Sequence, residues 1–311
     1  MKELGLLNYF LGISVTSSPS GYILSQPKYA SEILAKAGIH DCKPYSSLMA
    51  TKVVLPEMDS SFSHPSLYRS LVGALQYLTL TRPDLSFTVN YLCQFLQNPL
   101  NSHFSAVKRL LRYLKGTLSH GLHFTSGPLV LNAFSDSDWA GSALDRRSTT
   151  GYCVFLGPNL ISWCAKKQPT VSRSSSEAEY RALAQVSAEL SWLRMLFVEL
   201  HVSVAVPTLW CDNLSAIALA HNPVFHARTK HIEVDYHFVR EKVAAKKLAI
   251  CHIASTDQIA DILTKPLSVS RFQYLQGKLL VFPTSLSLRG LLSIMLRMRL
   301  KLTLQQLHQQ H

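Results

Sequence analysis

Four acidic residues stand where an apolar chain has little reason to put a charge. Asp136 ends the apolar run 130–137, on the same parity as Phe134. Glu179 shares one helical stripe with Leu183, Val186, Leu190, Leu193 and Phe197, the stripe that should face a core. Asp212 directly follows the apolar stretch 208–211 and precedes a helical pattern, a position where ligand-contacting groups gather in sheets with helical crossovers. Asp261 lies within the segment 255–265. A buried charge is expensive unless it is paired or bound to a cation. Taken singly, each has a plain alternative: a turn-starting Asp for Asp136, an N-cap for Asp212, and an exposed i, i+4 pair with Lys265 for Asp261. The neighbouring Glu177 is accounted for by the capping box Ser174-Ser175-Ser176-Glu177.

Together they form an ordered set of Asp, Glu, Asp and Asp on a first strand, first helix, fourth strand and last helix, with no Cys or His spacing competing for a metal. Hard oxygen ligands select magnesium or manganese over zinc. Two such ions roughly 4 Å apart can activate a water and stabilise the leaving oxygen of a phosphodiester. The expectation is a nuclease using two Mg2+ ions, with Mn2+ as an alternative.

Composition agrees with that chemistry. The 311 residues, 47% hydrophobic, are enough for two ordinary domains and exclude a disordered or fibrous chain. Only 16% are charged, yet 31 Lys+Arg against 19 Asp+Glu leave +12, a surface suited to nucleic acid. The six cysteines are far apart, which argues against a zinc site or a disulfide scaffold and for a reducing compartment. No secretory signal opens the chain and no long stretch is free of polar residues, so a soluble intracellular protein without stable membrane association is expected. No small-molecule cofactor is called for.

The elements that must position the acids follow from periodicity. Strands at 9–13 and 22–24 flank the turn Pro19-Ser20-Gly21, and a helix at 28–37 ends at Gly38. A Ser-, Pro- and Thr-rich linker spans 43–64, followed by helices at 68–81 and 84–96, bounded by Pro83 and Pro99. The helix 102–116 has an apolar face of Phe104, Val107, Leu110, Leu111 and Leu114. Its cations Lys108, Arg109, Arg112 and Lys115 lie elsewhere, as a solvated or a phosphate-tracking face. From about Pro128 the pattern becomes three hairpin strands (130–137, 151–156, 160–165), a helix at 175–201, a strand at 208–211, helices at 213–221 and 236–246, a strand at 248–253, and a last helix after Ser255. That order describes a mixed α/β sheet with helices packed on it.

Dense motifs then identify a resemblance to the C-terminal part of the Pol polyprotein of copia-type long-terminal-repeat retrotransposons. Tyr9-Phe10-Leu11-Gly12-Ile13, the segment 68–78, Thr81-Arg82-Pro83-Asp84 and Leu111-Arg112-Tyr113-Leu114-Lys115-Gly116-Thr117 resemble the end of its reverse transcriptase and the connection. Ser135-Asp136-Ser137-Asp138-Trp139-Ala140-Gly141, Ser148-Thr149-Thr150-Gly151-Tyr152, the segment 174–180, Cys211-Asp212-Asn213, Thr229-Lys230-His231-Ile232 and Ala260-Asp261-Ile262-Leu263-Thr264-Lys265 resemble its ribonuclease H domain. The resemblance runs to about Leu280.

What it implies is specific. Residues 1–127 would be a truncated reverse-transcriptase palm/thumb-connection region, 128–267 a ribonuclease H-like α/β domain, and 268–311 a basic, poorly ordered tail. Asp136, Glu179, Asp212 and Asp261 would be the catalytic metal ligands; Asp138 shares strand parity with Asp136, and the earlier Asp is preferred. His252, a candidate for the His that many relatives use, sits in a strand and reads as packed or hydrogen-bonded. The substrate would be an RNA–DNA hybrid, with Ser148, Thr149 and Arg173 as candidate contacts to it, in a cytoplasmic virus-like particle. Polymerase activity should be absent, because the chain contains no adjacent Asp pair. The opening Met1-Lys2-Glu3-Leu4-Gly5 resembles an internal family segment, as in a truncated copy. The rival reading is a catalytically silent remnant that only binds nucleic acid.

Overall fold

A computed structural model describes residues 7–39, 41–50, 59–222 and 233–284. The first half opens with strands β1 (Tyr9–Phe10), β2 (Ile13–Ser18) and β3 (Gly21–Ser25), in antiparallel order. Gly21 turns the hairpin at φ +148°, where an added Cβ would fall 2.0 Å from the Phe124 carbonyl oxygen of the neighbouring strand. Helices α1 (Pro27–Lys36), α2 (Pro65–Leu78), α3 (Ser86–Cys93) and α4 (Asn101–Gly116) follow, then strand β4 (His120–Thr125). Helix α2 starts earlier than its apolar repeat suggests because Pro65 occupies its first turn, where a missing N–H costs nothing. The α4 face is the expected one: Val107, Leu110, Leu111 and Leu114 are buried, and Phe104 stacks on Phe62 at 4.0 Å.

The second half is the mixed α/β arrangement that the pattern implies. Strands β5 (Leu131–Asp138), β6 (Thr149–Leu156) and β7 (Asn159–Lys167) are antiparallel, and α5 (Ser175–Glu199) crosses to β8 (Thr208–Cys211), which runs parallel to β5. Helices α6 (Leu214–His221) and α7 (Glu233–Ala244) lead to β9 (Ala249–His252), parallel to β8. The sheet order is β7-β6-β5-β8-β9.

Strand alternation divides this sheet between two cores. Ala133, Val154, Leu209 and Ile250 pack with α5, α6 and α7. Phe134, Cys153, Phe155 and Trp210 point the other way, into a core shared with Leu71, Leu75, Leu92, Leu110 and Leu111 of the first half. The boundary near residue 127 therefore runs through a core that both halves share. Asn159 reinforces the join, its side-chain amide exchanging two 2.8 Å hydrogen bonds with the Thr125 backbone.

Two expectations need correction. The last helix after Ser255 is two 3-10 turns, Ser255–Asp257 and Ile259–Leu263, so Asp261 sits on a 3-10 turn. The Gln258 side chain caps the second at the Ala260 N–H, and Pro266 shortly after disfavours a continuous α-helix. Nor is the chain from residue 268 a tail throughout: α8 (Val269–Lys278) is N-capped by Ser268, and β10 (Val281–Pro283) pairs antiparallel with β4. The apolar side chains of Phe272, Leu275, Leu279 and Val281 drive that return into the shared core. The remainder, 285–311, lies outside the described residues, as does Thr229-Lys230-His231-Ile232.

A buried polar network ties α8 to the helices. Arg82 pairs with Asp84 at 2.8 Å, and Tyr113 and Gln276 each donate to the same Asp84 Oδ2 at 2.9 Å. Burial alone would raise Asp84, but Arg82 holds its carboxyl below the ordinary value. Among the described residues no helix is long and apolar enough to cross a membrane.

The shared core makes a prediction. Residues 128–267 expressed alone should expose the Phe134, Phe155 and Trp210 face, bind a hydrophobic dye and melt without cooperativity. A monomeric, cooperatively melting fragment would contradict it.

Candidate active site

The expected acids converge from four separated elements. Asp136 on β5 lies opposite Gly151 of β6. An added Cβ at Gly151 would sit 2.5 Å from the Thr264 methyl and 2.9 Å from Leu263 Cβ, so the missing side chain lets the Asp261 turn lie directly on the sheet. The Thr264 hydroxyl donates to Asp136 Oδ2. Lys265 Nζ then bridges the two acids, 3.1 Å from Asp136 Oδ2 and 2.8 Å from Asp261 Oδ1. Arg271 takes the other Asp261 oxygen at 3.1 Å.

The other two acids face the same point from α5 and the end of β8. Glu179 Oε1 accepts from the Ser137 backbone N–H at 3.1 Å, and Asp212 Oδ2 accepts from the Ser255 hydroxyl at 2.8 Å. Donor atoms of Glu179, Cys211 and Asp212 all lie within 4.8 Å of one another.

The electrostatics are those of crowded, dehydrated like charges. Burial pushes Glu179 well above its ordinary value, and the Asp136 and Asp212 charges add to the shift. Burial also raises Asp136, against the pull of Lys265. Lys265 itself, which burial would lower, is raised by Asp136 and Asp261. Burial keeps the Cys211 thiol protonated, so it is no hard-metal ligand while it stays so.

A divalent cation suits this set. The donors are carboxylate oxygens, and four acids meet two cations, Lys265 and Arg271, leaving two negative charges when all are ionised. Asp136, Glu179, Asp212 and Asp261 are the residues that would hold it.

The remaining expected residues have mixed placements. Asp138 is turned to the Thr149 N–H and against Gly141, away from the convergence, with its carboxyl pushed up to about 7 by burial. The Ser148 hydroxyl is buried and accepts from the Ala140 N–H at 2.9 Å, so both Ser148 and Thr149 brace the turn that follows β5. Arg173 is exposed, its backbone N–H held by Glu177 at 2.9 Å. Glu177 thus reaches one residue further back than the capping box requires. His252 is exposed at the end of β9, not packed within it.

Of the α4 cations, Arg109 donates to Ser47 at 2.7 Å, Arg112 to the Lys43 carbonyl at 2.7 Å, and Lys115 to the Cys42 carbonyl at 3.0 Å. Lys108 lies over the Phe104 ring. Three of the four are therefore clamps on the segment 42–47.

Sequence reasoning missed the amides that set the acids. Gln168 donates to Ser137, Thr150 and the Ala178 carbonyl, joining β5, β6 and the start of α5 beneath Glu179. Gln258 donates to the Ser135 carbonyl at 2.9 Å, fixing the Asp261 segment to β5. Neither carries a pattern signal, since a loop glutamine looks solvated until the fold buries it.

No protein-family model matches the chain. It is 46% identical over 297 residues to a retrovirus-related Pol polyprotein from transposon RE2 of Arabidopsis thaliana, covering 94% of this chain and 20% of the relative. The chain spans about a fifth of the length of the polyproteins it matches. It is also 55% identical over 193 residues to an uncharacterised mitochondrial protein of Arabidopsis thaliana, covering 62% of this chain and 80% of that protein. Among solved structures, ribonuclease H1 of the halophilic archaeon Halobacterium salinarum aligns with 13% identity and a TM-score of 0.32, over 43% of this chain and 94% of that one.

Two predictions follow from the geometry. Burial raises the Asp138 carboxyl to about 7, so the folded chain keeps a proton there that the unfolded chain releases, and folding stability falls as pH rises through that value; Asp136 and Glu179 are shifted in the same direction. The metal-free protein should melt higher at about pH 6.5 than at about pH 8, and Asp138→Asn should flatten the difference. Below that window the depressed histidines, His120 at about 4 among them, work the other way. An unchanged melting point between the two pH values would refute the assignment. Separately, Gly151→Ala should cost about 1–3 kcal/mol in urea unfolding, and Thr264→Ser should restore part of it by removing the clashing methyl. Strict additivity of the two changes would show that they do not touch.

Proposed function

The chain belongs to the copia-type Pol polyproteins of long-terminal-repeat retrotransposons, and on that premise we propose that it hydrolyses the RNA strand of RNA–DNA hybrids, as a metal-dependent ribonuclease H. The observation that carries this reading is the convergence of Asp136, Glu179, Asp212 and Asp261 on one small volume from β5, α5, the end of β8 and a 3-10 turn. Structural acids scatter over a surface and pair singly; these four are crowded, and Lys265 and Arg271 neutralise them only in part, which leaves charge for a bound cation to offset.

Two magnesium ions bound there would supply a nucleophilic water at neutral pH and neutralise charge on the departing 3′ oxygen. The protein's own part is to hold the ligands ready. Ser137 N–H orients Glu179, Ser255 orients Asp212, and Thr264 orients Asp136, each by a hydrogen bond that selects one carboxylate oxygen. Arg271, braced on the Ser255 and Thr256 carbonyls, fixes Asp261. The net charge of +12 draws in the polyanionic substrate.

Recognition of RNA requires contacts to the 2′-hydroxyl across the wide minor groove of the hybrid. Of the three candidates near the motifs, Arg173 is the exposed one and is our choice. A polymerase function is not proposed, because no adjacent Asp pair exists to hold its metals.

Asp212→Asn should reduce magnesium-dependent cleavage of a labelled RNA–DNA hybrid by at least about 100-fold while leaving hybrid affinity within about twofold at a fixed salt concentration. Wild-type cleavage by the variant would sink the ligand assignment. A wild-type chain that binds hybrid in a salt-sensitive way and never cuts it would leave the silent-remnant reading standing.

A further inference from the structure

We propose, building on the reading above, that Lys265 is a tethered counter-ion that fills the Asp136–Asp261 carboxylate pair and must leave before a divalent cation can use those oxygens. Lys265 thereby sets the metal concentration at which the site loads.

The two cations of the cluster differ in what holds them. The Arg271 guanidinium donates to the backbone carbonyls of Ser255, Thr256 and Gln258 as well as to Asp261, so it is anchored to the frame of the 255–261 segment. Among the described residues, the Lys265 ammonium is held by the two carboxylates themselves. Its side chain is 40% exposed, while the acids it joins are 4% and 12% exposed. A flexible stem with one end at the surface can withdraw; a planar fork on three carbonyls cannot without breaking the turn.

The contacts also put the ammonium on ligand atoms. Asp136 Oδ2 carries both the Lys265 ammonium and the Thr264 hydroxyl, and the two Asp261 oxygens are divided between Lys265 and Arg271. By contrast, Glu179 and Asp212 are held by a backbone N–H and a hydroxyl, with no cation among the described residues in direct contact. Among the described residues the site is thus half filled by a lysine and half open. The charge balance points the same way, because the two negative charges that remain match a single divalent ion. With all four acids ionised, a second ion would leave an excess of two positive charges with the ammonium in place and of one after it withdraws, so withdrawal lowers the excess that an arriving phosphate must complete. Competition for shared oxygens lowers apparent affinity by the occupancy of the competitor.

Two roles for Lys265 predict opposite signs. If it only braces Asp136 and Asp261, removing it loosens the ligands and weakens metal binding. If it competes, removing it strengthens binding. Manganese titrated into the full chain by calorimetry, without nucleic acid, reads the difference. Lys265→Gln should bind Mn2+ about tenfold more tightly than wild type; equal or weaker binding overturns the proposal. Should that variant fail to fold, the wild-type protein answers instead. The rate at which an acylating reagent modifies Lys265, followed by mass spectrometry, should rise several-fold on adding Mn2+, while Lys36 serves as a reference. No rise overturns the proposal. Asp212→Asn separates the two readings: if it binds Mn2+ as wild type does, the ligand set of the proposed function fails. If it weakens binding while Lys265→Gln changes nothing, only the competitor role fails.

Discussion

The candidate site rests on the crowding of four carboxylates, three of which, Asp136, Glu179 and Asp261, are buried. In water, like charges at such spacing repel by about 1 kcal/mol a pair; partly dehydrated, they repel several-fold more strongly. The protein meets this with two cations, Lys265 and Arg271, and with hydrogen-bond donors from β5 and from the two 3-10 turns of the 255–264 segment. The remainder is borne as raised carboxyl pKa values at Asp136 and Glu179. Such a cluster survives only on a frame too stiff to relax by moving the acids apart.

The frame is a sheet packed on both faces. On one side α5 runs under β5 and carries Glu179; on the other, the helices of the first half meet Phe134, Phe155 and Trp210. Without that second layer the strand bearing Asp136 would have a bare apolar face. The first half is therefore a structural partner of the site. The α8 helix and β10 close the arrangement, because Arg271 comes from the same helix as Gln276, which enters the Arg82–Asp84–Tyr113 network. Removing one partner from a buried ion pair of that kind costs about 3–5 kcal/mol, enough to threaten a domain of ordinary stability. The positions of the acids and the integrity of the helical half are thus linked through one short helix.

The cations of α4 illustrate how a basic face can have an internal use. Arg109, Arg112 and Lys115 hold Ser47, Lys43 and Cys42, and Tyr45 stacks under the two guanidinium groups. The segment they clamp reads as a linker by composition, and its order comes from charge-assisted bonds to carbonyls, which leave no trace in hydropathy.

How much was legible follows from range. Alternation placed β5, β6 and β7, the 3.6-residue period placed α4 and α5, and an acid on an apolar stripe marked Glu179, because each of these patterns is a local response to burial on one face. The four acids stood out as charges at the ends of apolar elements, each weak singly and gathered into a set with the help of the family resemblance. Three things did not stand out. Asp261 sits on a 3-10 turn whose bed is shaped by Ser135, through its bond to Gln258, and by Gly151, both from distant parts of the chain. Lys265 looked like an exposed partner of Asp261 at i, i+4, and it is that, yet Asp136 on a strand far upstream gives it a second carboxylate. Residues 268–284 looked like a tail and instead complete a sheet begun at residue 9. By itself the sequence determined which elements form and which side chains are too polar for their faces, since those depend on neighbours a few residues away. Tertiary structure alone decided which acids share a cation and which half braces which, since that depends on through-space Coulomb and packing terms between residues more than a hundred positions apart.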